Sequence, residues 1–141
     1  MRPSVIIGTY ERPDYLVRTL AGMAAQDLTP HEVIIGDDGS GDSTREAIRA
    51  FRRTANFPVI HVRQEHDGWR KCAILNKCIA ESSGDYLVFT DGDCIHRWDW
   101  LRNHARAAKP GRFLGGGDLR LNTTVSERIT AEDVLARRPF S

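Results

Sequence analysis

The sequence predicts an α/β domain, a mostly parallel sheet with helices on both faces. Three observations lead there. Short apolar runs of buried-strand type recur at Ser4 to Gly8, Val33 to Gly36, Val59 to Val62 and Tyr86 to Thr90. Segments with helical periodicity separate them. Each run also ends in polar or charged residues and not in a second alternating strand. A βαβ alternation of this kind needs crossover connections, and crossovers make the strands parallel.

The elements follow in order. After the first run comes the loop "TYERP", and Pro13 suits the first residue of a helix. Leu16, Val17, Leu20, Met23 and Ala24 share one face of that helix. "DLTPHE" breaks it, and Val33 opens the second strand, which ends in Asp37, Asp38, Gly39 and Ser40. Ser43 and Glu46 have the spacing of a capping box, so the second helix is expected to begin at Ser43, with Ala47, Ile48 and Phe51 inward. Pro58 precedes the third strand, and "RQEHDGW" is loop. The third helix is expected from about Arg70 to Gly84, with Ile74, Leu75, Cys78 and Ile79 inward. The fourth strand runs from Tyr86 to Thr90. A short loop and another helix follow, near Trp100. Beyond it, Phe113 to Leu121 reads as a strand kinked at Gly115 to Gly117, and Thr130 to Asp133 as one more helix start.

Composition excludes several classes. The chain has 141 residues, 40% hydrophobic and 28% charged, as in ordinary soluble domains. A net charge of +1 with scattered Lys and Arg gives no electrostatic case for nucleic acid. No apolar run approaches the ~20 residues of a membrane span, and the first residues do not read as a signal peptide. Three cysteines without C-x-x-C spacing argue against a disulfide framework or a zinc knuckle. They suit a reducing cytoplasm, either free or at the inner face of the membrane, with Cys72 and Cys78 as packing residues on a helix.

In an open parallel sheet, ligands bind outside the carboxyl ends of the strands. Here those ends bring together Thr9, Tyr10, Glu11 and Arg12, then Asp37 and Asp38, then His66 to Lys71, then Asp91 and Asp93. An aromatic ring, carboxylates and cations on one edge suit a nucleotide. The chain lacks G-x-G-x-x-G after its first strand and lacks G-x-x-x-x-G-K-[ST], so neither glycine-loop mode applies. Asp91-Gly92-Asp93 offers another way to neutralise a diphosphate. Two like charges so close repel, and a hard divalent cation removes that penalty by binding carboxylate and phosphate oxygens together.

Blander readings stand beside these. Asp38-Gly39-Ser40 also reads as a turn into the second helix. Tyr10 also suits packing under its loop, and Arg70 and Lys71 suit a solvated first helical turn. Trp98 and Trp100 read as packing residues, and His96 as an ordinary surface or loop histidine.

The stretches "SVIIGTYERPDYL", "VIIGDDGSGDST", "GWRKCAILNKCIAESSGDYLVFTDGDCI" and "WDWL" together resemble the nucleotide-sugar-binding half of family 2 glycosyltransferases of the GT-A fold. "GWRKCAILNK" is similar to the bacterial polysaccharide and chondroitin-polymerase-like branch. The resemblance implies a Rossmann-like single domain over residues 1–141. Residues 4–101 would form the core with D-x-D, and 102–141 a partial acceptor-side segment. It implies that Thr9, Tyr10, Glu11 and Arg12 form the loop at base and ribose, and that Asp38, or Asp37, bonds the base. Arg70 would approach the diphosphate. Asp91 and Gly92 would lie at the nucleotide sugar, and Asp91 and Asp93 would hold manganese or magnesium.

The activity implied is metal-dependent, inverting transfer of a sugar, from a UDP-sugar by default, to the hydroxyl of a glycan or other acceptor. The family's catalytic base lies well downstream of D-x-D, in an acceptor half that needs a chain of well over ~200 residues. The chain is therefore expected to be truncated at that half, with its base unidentified. Two alternatives stay open: a non-catalytic module binding a nucleotide sugar or nucleotide diphosphate, and a nucleotidyltransferase. An unfinished sheet edge also suits a homodimer or a partner chain.

Overall fold

A computed structural model describes residues 1–140. Its elements are β1 (Pro3–Thr9), α1 (Pro13–Ala24), β2 (Glu32–Asp37), α2 (Asp42–Thr54), β3 (Val59–Arg63), α3 (Lys71–Glu81), β4 (Tyr86–Asp91), α4 (Trp100–Ala107), α5 (Thr123–Arg128) and α6 (Ala131–Leu135). A single 3₁₀ turn, Arg138–Phe140, follows. The strands form one four-stranded sheet in the order β3-β2-β1-β4. All three pairings are parallel, with Gly8 beside Gly36 on one side and Asp91 on the other.

The apolar runs are continuous because both faces of the central strands are covered. Successive side chains alternate, so Val5, Ile7, Val33 and Ile35 meet Leu16, Leu20 and Met23 of α1 and Ile48 of α2 on one face. Ile6 and Ile34 meet Ile74 and Cys78 of α3 on the other. Coverage is unequal at β4, the edge strand. Val88 is buried on the α1 side, but Phe89 on the α3 side is 48% exposed.

Three local expectations are corrected. The Ser43–Glu46 capping box does not form: α2 starts at Asp42 with Gly41 at the N-cap and no side-chain cap. Ser43 therefore lies inside the helix and cannot cap it, and Glu46 pairs with Arg49 and Arg53. No strand forms from Phe113 to Leu121; this stretch is irregular, and Phe113 and Leu119 are 95% and 94% exposed. Cys72 is exposed on α3, while Cys78 packs as expected, and Val17, Ala24 and Ile79 also face outward. The expected last helix is present as α6, closed by a capping box between Thr130 and Asp133.

Candidate functional site at the carboxyl edge of the sheet

The first strand-to-helix loop is held in an uncommon backbone conformation. Glu11 and Arg12 both lie in the left-handed region, at φ 52° and 55°. Arg12 then serves as N-cap residue of α1, with Pro13 behind it. Its guanidinium bonds Asp14 and lies 3.9 Å above the Tyr15 ring.

The two aspartates that end and follow β2 diverge, because adjacent residues of an extended chain point to opposite faces. Asp37 is fully buried on the α2 side. It accepts from the Ser40 amide at 2.8 Å and pairs with His61 Nε2 at 3.0 Å. Burial works to raise its pKa, but the His61 and Ser40 hydrogen bonds outweigh it and hold the carboxyl below the usual range. Asp38 points the other way. It accepts from the Gln64 amide at 2.6 Å and the Arg70 backbone N–H at 3.1 Å. Burial again opposes ionisation, and these donors with nearby His66 and Arg70 win, so the pKa is lowered. An ionised carboxylate has about four acceptor positions, so Asp38 keeps capacity for a ligand donor.

Gly39, at φ +94°, turns the chain against His66, where a Cβ would come within 2.4 Å of the His66 nitrogen. His66 bonds the Asp38 carbonyl oxygen through Nδ1 at 3.1 Å. Its ring stacks on Tyr10 with centroids 4.3 Å apart and 8° between planes.

On the far side, β4 ends at Asp91. The Gly92 amide donates to the Gly8 carbonyl at 2.8 Å, folding D-x-D against β1. A Cβ at position 92 would lie 3.0 Å from Thr9 Oγ1, so glycine permits that approach. Asp91 pairs with Lys71 Nζ from the first turn of α3, and both side chains are part-exposed. Such a pair is worth roughly 0–1 kcal/mol and is easily exchanged for a stronger one.

These parts line one open pocket of about 250 Å³: Thr9, Tyr10, Arg12, Tyr15, Asp38, Trp69, Lys71, Asp91, Gly92 and Asp93, floored by Gly8 and Ile74. Complete ligand sites usually measure ~300–1,000 Å³, so this is a partial enclosure. Among the described residues no group of three His, Cys, Asp or Glu side chains could hold a metal ion. Asp91 and Asp93 supply two hard oxygen donors, which fits magnesium- or manganese-type coordination completed by phosphate and water.

Residues 4–125 match the family model described as Glycosyl transferase family 2. The chain belongs to that family. Chondroitin synthase of Escherichia coli is 31% identical over 102 residues, 72% of this chain and 15% of that protein. Glycosyltransferase AglE of Haloferax volcanii is 33% identical over 119 residues, 82% of this chain and 38% of that one. Among solved structures, the mannosyltransferase PcManGT of Pyrobaculum calidifontis, in complex with GDP-Man and Mn2+, superposes with a TM-score of 0.70 at 27% identity, covering 77% of this chain and 33% of its own. S. aureus TarS 1-349 in complex with UDP-GlcNAc gives 0.63 at 25%, covering 82% and 37%. The four-stranded parallel sheet is thus the GT-A type. The chain spans under two-fifths of the length of each of these relatives.

Within this family 2 chain, the structure gathers Thr9, Tyr10, Arg12, Asp38, Asp91, Gly92 and Asp93 at the pocket. Glu11, Asp37 and Arg70 do not line it. Asp37 is consumed in its buried network. The Arg70 side chain turns to the Glu65 carbonyl at 2.7 Å and to Asp67, so it serves the site through its backbone, whose N–H bonds Asp38 and whose carbonyl accepts from Gln64 at 3.2 Å. Trp69 and Lys71, expected at this edge within His66 to Lys71 but given no role at the ligand, line the pocket together with Tyr15, which the sequence did not point to, and Gln64 and His66 brace it. A signal for Lys71 existed: it lies one turn before Leu75 on the helix face that covers β1. His96 is no surface histidine. It stacks on Trp100 at 3.9 Å and bonds Thr90 Oγ1, and burial pushes its pKa down to about 4.

Proposed function

We propose that this chain is the donor-binding part of a glycosyltransferase that takes a nucleotide diphosphate sugar, a UDP-sugar by default, and transfers the sugar with inversion to an acceptor hydroxyl. One observation carries the reading: an aromatic and carboxylate pair, Tyr10 and Asp38, lines a single pocket together with Lys71, Asp91 and Asp93. The relatives with bound GDP-Man and Mn2+ or UDP-GlcNAc support it.

Each residue has a chemical task. Tyr10, backed by His66, gives the base a flat face to stack on. Asp38, kept ionised by Gln64 and the Arg70 amide, accepts a base or ribose donor. Lys71 releases Asp91 and turns toward the diphosphate, as a mobile point charge can. Asp91 and Asp93 hold manganese or magnesium, which when bound offsets the charge that builds on the leaving diphosphate. Residues 4–101 form this donor core, and 102–141 begin the acceptor side.

Titration calorimetry with UDP, with and without manganese, tests the proposal. Binding should strengthen by at least about 100-fold with the metal. Equal affinity in both conditions removes the metal from the account, and no binding in either removes the nucleotide.

A second reading, a binding module without turnover, is favoured by one observation. Among the described residues, Asp38, Asp91 and Asp93 are the carboxylates that line the pocket, and none of the three is free of a donor-side task to deprotonate an acceptor. Glu132 and Asp133 do not supply that base: neither lines the pocket, and Asp133 caps α6, where the Thr130 N–H and hydroxyl with Arg138 hold its pKa to about 2. Donor hydrolysis or transfer would decide for the enzyme.

A further inference from the structure

Glu11 stands in the middle of the nucleotide loop, yet it is not among the pocket-lining residues, while its neighbours Tyr10 and Arg12 both are. Its polar groups run backwards, into the loop between β2 and α2. The Glu11 amide donates to Ser40 Oγ at 2.8 Å. One of its carboxylate oxygens accepts the Gly41 amide, also at 2.8 Å. Ser40 is fully buried, and its own amide is fixed on Asp37. Asp37 in turn is held by His61 of β3. A chain of hydrogen bonds therefore runs from the sheet interior to the loop.

The loop needs such an anchor. Glu11 and Arg12 are consecutive left-handed residues, and neither is glycine or asparagine. L-residues avoid that region, and they persist there only where the surroundings over-determine the conformation. Those two turns swing Tyr10 onto His66 and Arg12 over Tyr15.

We infer that Glu11 is a positioning residue: its clamp on Ser40 and Gly41 holds the strained loop so that Tyr10 and Arg12 are pre-set for the nucleoside. Preorganisation of this kind adds affinity by removing the cost of ordering the loop on binding. The inference rests on the nucleotide reading for its purpose, but the clamp itself can be measured without a ligand.

Four variants of the 141-residue chain test it: Glu11→Ala, Glu11→Gln, Ser40→Ala and the double variant Glu11→Ala/Ser40→Ala. Amide hydrogen exchange is read first, with no nucleotide present. The Gly41 amide should lose protection in Glu11→Ala and keep it in Glu11→Gln, whose side-chain oxygen still accepts. UDP affinity with manganese is read second. Glu11→Ala should bind about tenfold more weakly, Glu11→Gln within about twofold of the parent, and Ser40→Ala about fivefold more weakly, although Ser40 does not line the pocket. The double variant should be little worse than Glu11→Ala, because both changes release the same loop.

Unchanged Gly41 protection in Glu11→Ala overturns the clamp. Loss of UDP affinity in Glu11→Ala with none in Ser40→Ala also overturns it, because Glu11 would then act on the ligand itself. If the parent chain binds no UDP, the nucleotide reading falls, and the exchange data alone decide the clamp.

Discussion

The two ends of the sheet treat their carboxylates differently. At the amino end, Glu32 is buried and accepts from Ser4 Oγ at 2.6 Å, the Ser83 amide at 2.7 Å and Ser83 Oγ at 2.9 Å. The Gly84 amide closes the circuit on Ser4 Oγ at 3.0 Å. At the carboxyl end, Asp91 and Asp93 are exposed; Asp91 has one ion pair with Lys71, and Asp93 a long contact to the Cys94 thiol. A carboxylate saturated by protein donors is finished structure. One left with spare acceptor capacity beside a like charge is prepared for something from outside. Asp37 and Asp38 repeat this contrast one residue apart.

Asp93→Ala breaks the open end most severely. Manganese-dependent UDP binding should fall by at least about 100-fold, roughly 3 kcal/mol, with the melting temperature nearly unchanged. A drop in thermal stability with affinity intact would reverse the roles assigned to the two ends.

His96 shows that the open end also has a closed underside. Its pKa is about 4 when folded against an ordinary 6.5, so the unfolded chain binds more protons between those values. Stability is therefore full above pH 6.5 and falls as pH drops toward 4, by on the order of 3 kcal/mol. His104, also lowered by burial, adds in the same direction. Denaturant melts from pH 7 to 4 should show that slope, and His96→Phe should flatten most of it.

Glu32→Ala acts at the closed end. It should cost about 2–3 kcal/mol of stability, because Ser4 and Ser83 lose their acceptor, and leave UDP affinity unchanged. Burial works to raise the Glu32 pKa, but hydrogen bonds from Ser4 and Ser83 lower it overall. Its contribution is thus full above the ordinary value of 4.5 and disappears as pH falls through the folded value. Urea melts below pH 5 should show the variant and the parent converging. The smallest effect belongs to Asp38→Asn, which keeps the shape and removes the charge. UDP binding should weaken by about tenfold, roughly 1.4 kcal/mol, and calorimetry can resolve that.

The strands were legible because burial on both faces leaves an unbroken apolar signature, as at Ser4 to Gly8. The D-x-D and Asp38 positions were legible because strand ends in a parallel sheet have a fixed address. What sequence could not supply was direction. Asp37 and Asp38 read alike until the pleat sends one inward. Arg70 and Lys71 read alike until the helix starts between them, so that one contributes an amide and the other its ammonium group. Glu46 had the right spacing from Ser43, but the helix begins one residue earlier, so Ser43 lies inside it and cannot cap. The stretch from Phe113 to Leu121 looked like a strand by composition, but a strand also needs a neighbour to pair with, and among the described residues none pairs with it.

Trp69 is 83% exposed and sits on the pocket wall, whereas Trp98 and Trp100 are part-buried, against Phe140 and His96. The molecule thus carries its own optical reporter. Emission from a solvated indole is red-shifted and open to quenching, and a nucleotide sliding past it would dim that component while the other two stay constant. A simple fluorometer could therefore test the proposed nucleotide binding in real time, with no label attached.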